Sequence, residues 1–171
     1  VPTIYAAMIA NLKKNSIKYQ NLRRCVSAGE ALPSQIGTDW KNITDVDILD
    51  GVGSTEMLHI FLSNKPNDIT YGTSGSAVPG YDLKLVDEYG EEVAIGEIGE
   101  LLVKGQSSAM CYWNKLTKSR NTFEGKWTRT GDKYEKIKDQ KYIYSGRTDD
   151  MFKVSGIWIS PFEVEQALVS H

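Results

Sequence analysis

Apolar and polar positions follow two periods along this chain. In TIYAAMIANLKK, residues 3–14, Ile4, Ala7, Met8 and Leu12 recur at helical spacing, which predicts an amphipathic helix starting near Thr3. RRCVSAGE reads as a short strand ending in a turn. PSQIGTDWKNI fits a helix opened by Pro33, with Gly37 an unfavourable interior residue. VDILDGVG is a second short apolar strand ending in glycines, and STEMLHIFL resumes a helix-like apolar pattern. Strand, helix and strand within about 30 residues is the arithmetic of a parallel crossover unit, so the first third is predicted to be α/β.

The texture changes from Tyr71 onward. YDLKLVD, GELLVKG, KWTRTGDKYEKI and KYIYSGR are short strand candidates separated by turns such as DEYGEE and KDQ, a meandering antiparallel pattern that fits a small barrel or an open sheet. FKVSGIWISPFEVEQALVS reads as a strand followed by a helix. Ser160 at the N-cap, Pro161 at the first helical position and Glu163 three residues after the cap form a capping box.

Composition adds exclusions. The 171 residues are 40% apolar and 25% charged, an ordinary globular balance sufficient for a sizeable core. Twenty Lys and Arg against 22 Asp and Glu give a net charge of -2, so no global basic excess points to nucleic acid or to an anionic membrane. Cys25 and Cys111 form no C-x-x-C pattern, which argues against a zinc site or a disulfide framework. No apolar run approaches the roughly 18 residues of a membrane span, and the reading is a cytoplasmic protein. The chain starts at Val1 without methionine and stops at His171 directly after a helix signal, so it reads as an excerpt from a longer protein.

Candidate chemistry lies at the ends of the strand candidates. In LDGVGSTEMLHI, Gly51 and Gly53 allow main chain to approach a ligand, the Thr55 hydroxyl can donate to a phosphate oxygen, and Glu56 can hold a magnesium ion accompanying that phosphate at a helix N-terminus. A glycine-rich turn with Ser54 or Thr55 capping a helix accounts for the same residues. SAGEALP repeats the layout, and two such loops at adjacent strand ends would face one crevice. Asp132 in TRTGD can accept hydrogen bonds from a ribose diol, although Thr-Gly-Asp is also a common turn. Arg147, Asp149, Asp150 and Lys153 surround another turn, which on its own residues reads first as a solvated charged loop. His59, beside Met57, Ile60 and Phe61, fits a pocket wall or a packed histidine. There is no G-x-x-x-x-G-K-[ST] loop, no G-x-G-x-x-G, and no G-x-S-x-G elbow, since Ser76 stands where the last would need its second glycine.

Taken in order, SAGEALP, GSTE, YGTSGSAVPGYDLKLVD, GELLVKGQSSAMCYWN, WTRTGD and GRTDDMFKVSGIWISPFEVE resemble the acyl-adenylate-forming superfamily of acyl-CoA synthetases, peptide-synthetase adenylation domains and luciferases. Within it, DGVGSTEMLHIFLSN and the closing segment look most like benzoate-CoA ligases. The resemblance implies a mixed α/β fold: residues 1–148 as the back half of the large domain (1–70 a parallel α/β portion, 71–148 a β-rich subdomain) and 149–171 as the hinge and start of a C-terminal lid. It implies an ATP-dependent aryl-CoA ligase that uses Mg2+ and CoA on a small aromatic acid, without nucleic acid or membrane partners. By motif position, Gly29, Glu30 and Ala31 border adenine, Thr55 contacts the α-phosphate and Glu56 holds magnesium. Asp132 and Arg147 take the ribose, and Ala28, His59 and Ile60 wall the aryl ring. Asp149 is the lid hinge, Gly156 lies along the pantetheine tunnel, and Lys153 serves the thioester-forming state. Val52 stands where many members carry an aromatic residue on adenine. The phosphate loop and the lid lysine of the family are absent from this sequence, so the chain alone is expected to be inactive. The competing readings are a peptide-synthetase adenylation domain loading a carrier protein, and a non-catalytic nucleotide- or acyl-binding module.

Overall fold

The computed structural model describes residues 1–15, 19–155, 157–161, 164 and 167–168, with 153, 157 and 158 described by backbone alone. The first helix, α1 (Pro2–Asn15), turns Ile9 and Leu12 into a core against Cys25, Leu32, Trp40 and Ile48. Strand β1 (Cys25–Ser27), helix α2 (Ser34–Thr44) and strand β2 (Ile48–Gly53) form the expected crossover, with Cys25 level with Ile48 in a parallel pair. Pro33 sits at the N-cap of α2, and Asp45 closes the helix in the left-handed region at φ 59°.

Gly37 is explained by what packs on it. A Cβ there would lie 2.4 Å from the Tyr71 ring, whose hydroxyl donates to Asp47 Oδ1 at 2.9 Å. Gly37→Ala therefore destabilises the chain in urea denaturation. Overpacking costs about 1–3 kcal/mol, more than the ~1 kcal/mol that alanine gains over glycine in a helix interior.

One expected element is different. STEMLHIFL is not a helix: residues 54–59 form a turn, and Ile60–Ser63 is strand β3, antiparallel to β2 and bulged between Val52 and Gly53. The Ser54 hydroxyl accepts the Met57 N–H at 3.3 Å, and Leu58 adopts φ 58°, which ends any helical continuation. Phe61 and Leu62 are both fully buried, so the apolar run faces protein on both sides. Such a run cannot be distinguished from helix by periodicity alone. Strand β4 (Ser76–Ala77) completes a mixed sheet of order β1-β2-β3-β4.

The second half is an open antiparallel sheet. Strands β5 (Asp82–Val86), β6 (Ile98–Lys104), β7 (Phe123–Glu124) and β8 (Trp127–Lys136) are ordered β5-β6-β8-β7, and β9 (Tyr142–Arg147) also pairs with β8. A short helix, α3 (Leu116–Thr122), precedes β7. The core of this half, Leu85, Leu101, Val103, Tyr134 and Tyr142, also takes in Met57, Phe61 and Leu62. The β2–β3 hairpin thus joins the two halves. Lys141, nearly buried, adds a polar tie by donating to Asp68 at 2.6 Å and to Thr70 at 2.7 Å.

The closing segment is a hairpin of β10 (Phe152–Val154) and β11 (Ile157–Ile159) rather than a single strand. Ser160 is buried beyond it, while Glu163 of the expected capping box lies outside the described residues. Among the described residues no helix is long and apolar enough to cross a membrane.

Candidate active site

The loop after β1 and the glycine-rich end of β2 stand side by side because their strands pair in parallel. Gly29 takes φ 92°, a backbone that side chains rarely adopt. Gly53 is required by proximity: a Cβ there would fall 2.6 Å from the His59 carbonyl oxygen.

Opposite lie β8 and β9. Asp132 and Arg147 are level across the two strands, and Arg147 Nη1 donates to Asp132 Oδ1 at 3.1 Å and to the Thr130 carbonyl at 3.0 Å. Gly131, at φ 74°, makes room for this crossing, since a Cβ there would lie 2.8 Å from Arg147 Nη2. Arg147 Nε also reaches Asp149 Oδ1 at 3.1 Å. Burial raises the Asp132 carboxyl above its ordinary range despite Arg147, while its own backbone N–H and Arg147 lower that of exposed Asp149.

Between these walls is a cleft of about 790 Å³ lined by Gly29, Glu30, Ala31, Gly51, Val52, Gly53, Ser74, Asp132, Tyr134, Tyr144 and Arg147, with the N-terminal turn of α1 at its edge. Gly29, Glu30, Ala31, Gly51, Val52 and Gly53 thus meet Asp132 and Arg147, from segments roughly a hundred positions apart. Thr55 is exposed on the turn after β2, and neither it nor Glu56 lines the cleft itself. Because no helix follows β2, no helix N-terminus is available there for a phosphate; any anion contact must come from the turn's own groups. Burial pushes the Glu56 carboxyl up, but hydrogen bonds from Tyr112, its own N–H and Ser54, together with the charge of Lys118, hold it below its usual range.

Ala28, His59 and Ile60 do not line the cleft. The exposed His59 ring stacks on Tyr81 at 6.4 Å, and its Nδ1 lies 2.7 Å from the Ile60 carbonyl oxygen. Ile60 sits under Gly51, where a Cβ would meet its Cγ2 at 3.1 Å. Lys153 lies on β10, level with Trp158. Its side chain and all of Gly156 lie outside the described residues.

One residue with no role assigned from sequence stands out. Asp50 is 4% exposed, and its Oδ1 has no hydrogen-bond partner among the described residues. It lines a side cavity of about 200 Å³ that shares Ala31, Pro33, Ser74 and Tyr144 with the cleft. Burial pushes the carboxyl up to about 7, against hydrogen bonds from the Leu32 and Gly51 backbone. The folded chain therefore holds a proton that the unfolded chain releases between about pH 4 and 7, and this group's contribution to stability falls as pH rises through that window. Asp50→Asn removes the dependence, so the variant gains on the wild type in urea midpoint with each step of pH from 4 to 7.

The sequence resemblance implies magnesium, and the carboxylates present can be weighed against that ion. No cluster of three or more His, Cys, Asp or Glu occurs among the described residues. A lone, charged, half-buried Glu56 instead fits an ion held by one carboxylate and by substrate phosphates.

The relatives agree on the setting. Residues 1–113 match the AMP-binding enzyme family. The chain is 59% identical to a 4-hydroxybenzoate–CoA/benzoate–CoA ligase of Rhodopseudomonas palustris and 56% identical to a benzoate–CoA ligase of Thauera aromatica, over its whole length in both. It spans 32% and 33% of those two proteins. The solved structure of an anthranilate CoA ligase in complex with anthranoyl-AMP superimposes with a TM-score of 0.93 at 51% identity, over 99% of this chain and 33% of that one. A benzoate CoA ligase from Burkholderia xenovorans LB400 gives 0.85 at 48% identity, over 99% and 34%. With a family match across more than half of its length and the same fold as these ligases, the chain belongs to the AMP-binding enzyme family.

Proposed function

We propose that the full-length protein carrying this segment is an ATP-dependent aryl-CoA ligase acting on benzoate or a closely similar aromatic acid. The observation that carries this reading is the convergence of Gly29, Glu30 and Ala31 with Asp132 and Arg147 on one cleft, in a chain more than half identical to benzoate–CoA ligases. In the first step a carboxylate oxygen of the acid attacks the α-phosphorus of ATP, and the bond to the bridging oxygen of the departing pyrophosphate breaks. In the second, the CoA thiolate attacks the acyl carbonyl, and AMP leaves.

The residues would divide the work as follows. The Gly29–Ala31 loop borders adenine, and the buried Asp50 Oδ1 is the acceptor for its exocyclic amine. Arg147 occupies one oxygen of Asp132, and the other accepts from the ribose hydroxyls. Thr55 donates from its turn to an α-phosphate oxygen, and Glu56 holds magnesium. When bound, that ion neutralises charge on the phosphate oxygens as pyrophosphate departs. Val52 offers adenine an aliphatic contact.

The aryl ring would reach Ala28, His59 and Ile60 past Gly51 and Gly53, whose missing side chains keep the main chain close to Ile60 and to the His59 carbonyl. Residues 1–148 belong to the large domain and 149–171 to the hinge and the start of the lid. Asp149 is the pivot, and Lys153 and Gly156 act in the thioester-forming state.

The test is carboxylate-dependent exchange of labelled pyrophosphate into ATP by the full-length enzyme, with acids from benzoate and hydroxybenzoates to short fatty acids and amino acids. Benzoate should drive the fastest exchange. Preference for an amino acid would turn the reading toward a carrier-loading adenylation domain, and AMP binding without exchange toward a non-catalytic module.

A further inference from the structure

We propose that Tyr112 is a positioning residue for Glu56, presenting one carboxylate oxygen to the magnesium ion by occupying the other; this rests on the ligase reading above. The Tyr112 hydroxyl donates to Glu56 Oε1 across 56 positions of sequence. The same loop holds the main chain of Glu56 as well, because the Ala109 N–H donates to the Glu56 carbonyl at 2.7 Å. Glu56 is thereby fixed at both ends by residues 109–112.

The loop is itself anchored by α3. The Tyr112 N–H donates to the buried Ser119 hydroxyl at 2.9 Å, and that hydroxyl donates to the Lys115 carbonyl at 2.8 Å. The phenol ring packs on Phe123 with centroids 5.4 Å apart, and the Lys118 ammonium stands 4.5 Å from the ring centroid. Each contact restricts the ring, so the hydroxyl meets the carboxylate without first having to order. Magnesium takes one or two carboxylates in near-ideal octahedral geometry, so a monodentate Glu with a fixed second oxygen suits it. Groups that orient a metal ligand in this way are typically worth about 10–100-fold in metal affinity or activity.

The experiment uses the full-length enzyme and reads its dependence on free Mg2+ twice: as direct Mg2+ binding to the enzyme loaded with a non-hydrolysable ATP analogue, by calorimetry, and as pyrophosphate exchange at saturating benzoate. Tyr112→Phe keeps the ring on Phe123 and under Lys118 and removes only the donor. Its half-saturating Mg2+ concentration should rise about tenfold, with the rate at saturating Mg2+ little changed. Tyr112→His restores an N–H donor and should recover part of that shift, which a purely structural role would not allow. In a Glu56→Asp background, where the shortened carboxylate leaves the reach of the phenol, Tyr112→Phe should add nothing. An unchanged Mg2+ dependence, equal shifts in both backgrounds, or no difference between the Phe and His variants would each overturn the proposal. A wild type without exchange would overturn the ligase reading instead, since the magnesium comparison requires a working enzyme.

Discussion

Replacing Glu56 by Gln in the full-length enzyme should slow acyl-adenylate formation by about 10²–10³-fold, the scale on which single electrostatic contributors to a transition state operate. The substitution preserves shape, and an amide oxygen can still accept from Tyr112. What it removes is charge. Burial pushes the Glu56 carboxyl up, but hydrogen bonds and Lys118 hold it below its ordinary range, which favours the charged form that the amide lacks. The loss should appear in pyrophosphate exchange at saturating ATP, while AMP, which the proposal sets against Gly29–Ala31 and Asp132, should bind as before. A loss below about threefold would remove Glu56 from the metal site.

The second large effect concerns the fold. Gly75→Ala should cost about 3–5 kcal/mol in urea denaturation, combining a strained backbone with overpacking. Gly75 takes φ 83°, and a Cβ would stand 2.1 Å from the Ser63 carbonyl carbon and 2.2 Å from the Asn64 nitrogen. These are backbone atoms of the first sheet and its continuation, so no side-chain rotation relieves the clash. On its other side the Gly75 carbonyl accepts from the Tyr142 N–H at 3.0 Å, and the Ser74 N–H donates to the Tyr142 carbonyl at 2.8 Å. The segment 74–75 therefore clamps the two sheets together, and Ser74 lines the cleft they enclose. Gly80→Ala is the control. Its φ is 94°, but nothing lies within 4 Å of a Cβ there, so only the backbone cost of about 1–3 kcal/mol remains.

The parallel crossover was legible because α1, α2 and the strands between them obey distinct apolar periods and carry their own punctuation in Pro33 and the β2 glycines. STEMLHIFL was not, because its spacing satisfies a helical template while its partners are remote: Leu62 is level with Val52 on one side and Ala77 on the other. Helix α3 left no periodic signal, since only Ser119 of LTKSRNT is buried.

The site divides in the same way. Gly29, Glu30, Ala31, Asp132 and Arg147 were visible as motif residues, and the fold brings them together. Asp50 and Tyr112 were passed over because nothing local marks them. Asp50 matters through burial without a full set of partners, and Tyr112 through a partner 56 positions away. Ala28, His59 and Ile60 rest on motif position alone, and they are not among the residues that line the cleft.

The central claim is that this cleft holds an acyl-adenylate, and the most direct test is a crystal structure of the full-length enzyme with a non-hydrolysable benzoyl-adenylate analogue. Adenine density is expected against Gly29–Ala31 with its amine on Asp50, the ribose diol on Asp132, and the benzoyl ring past Gly51 and Gly53. Density for the nucleotide outside this cleft, with the Asp132–Arg147 pair unchanged, would contradict it.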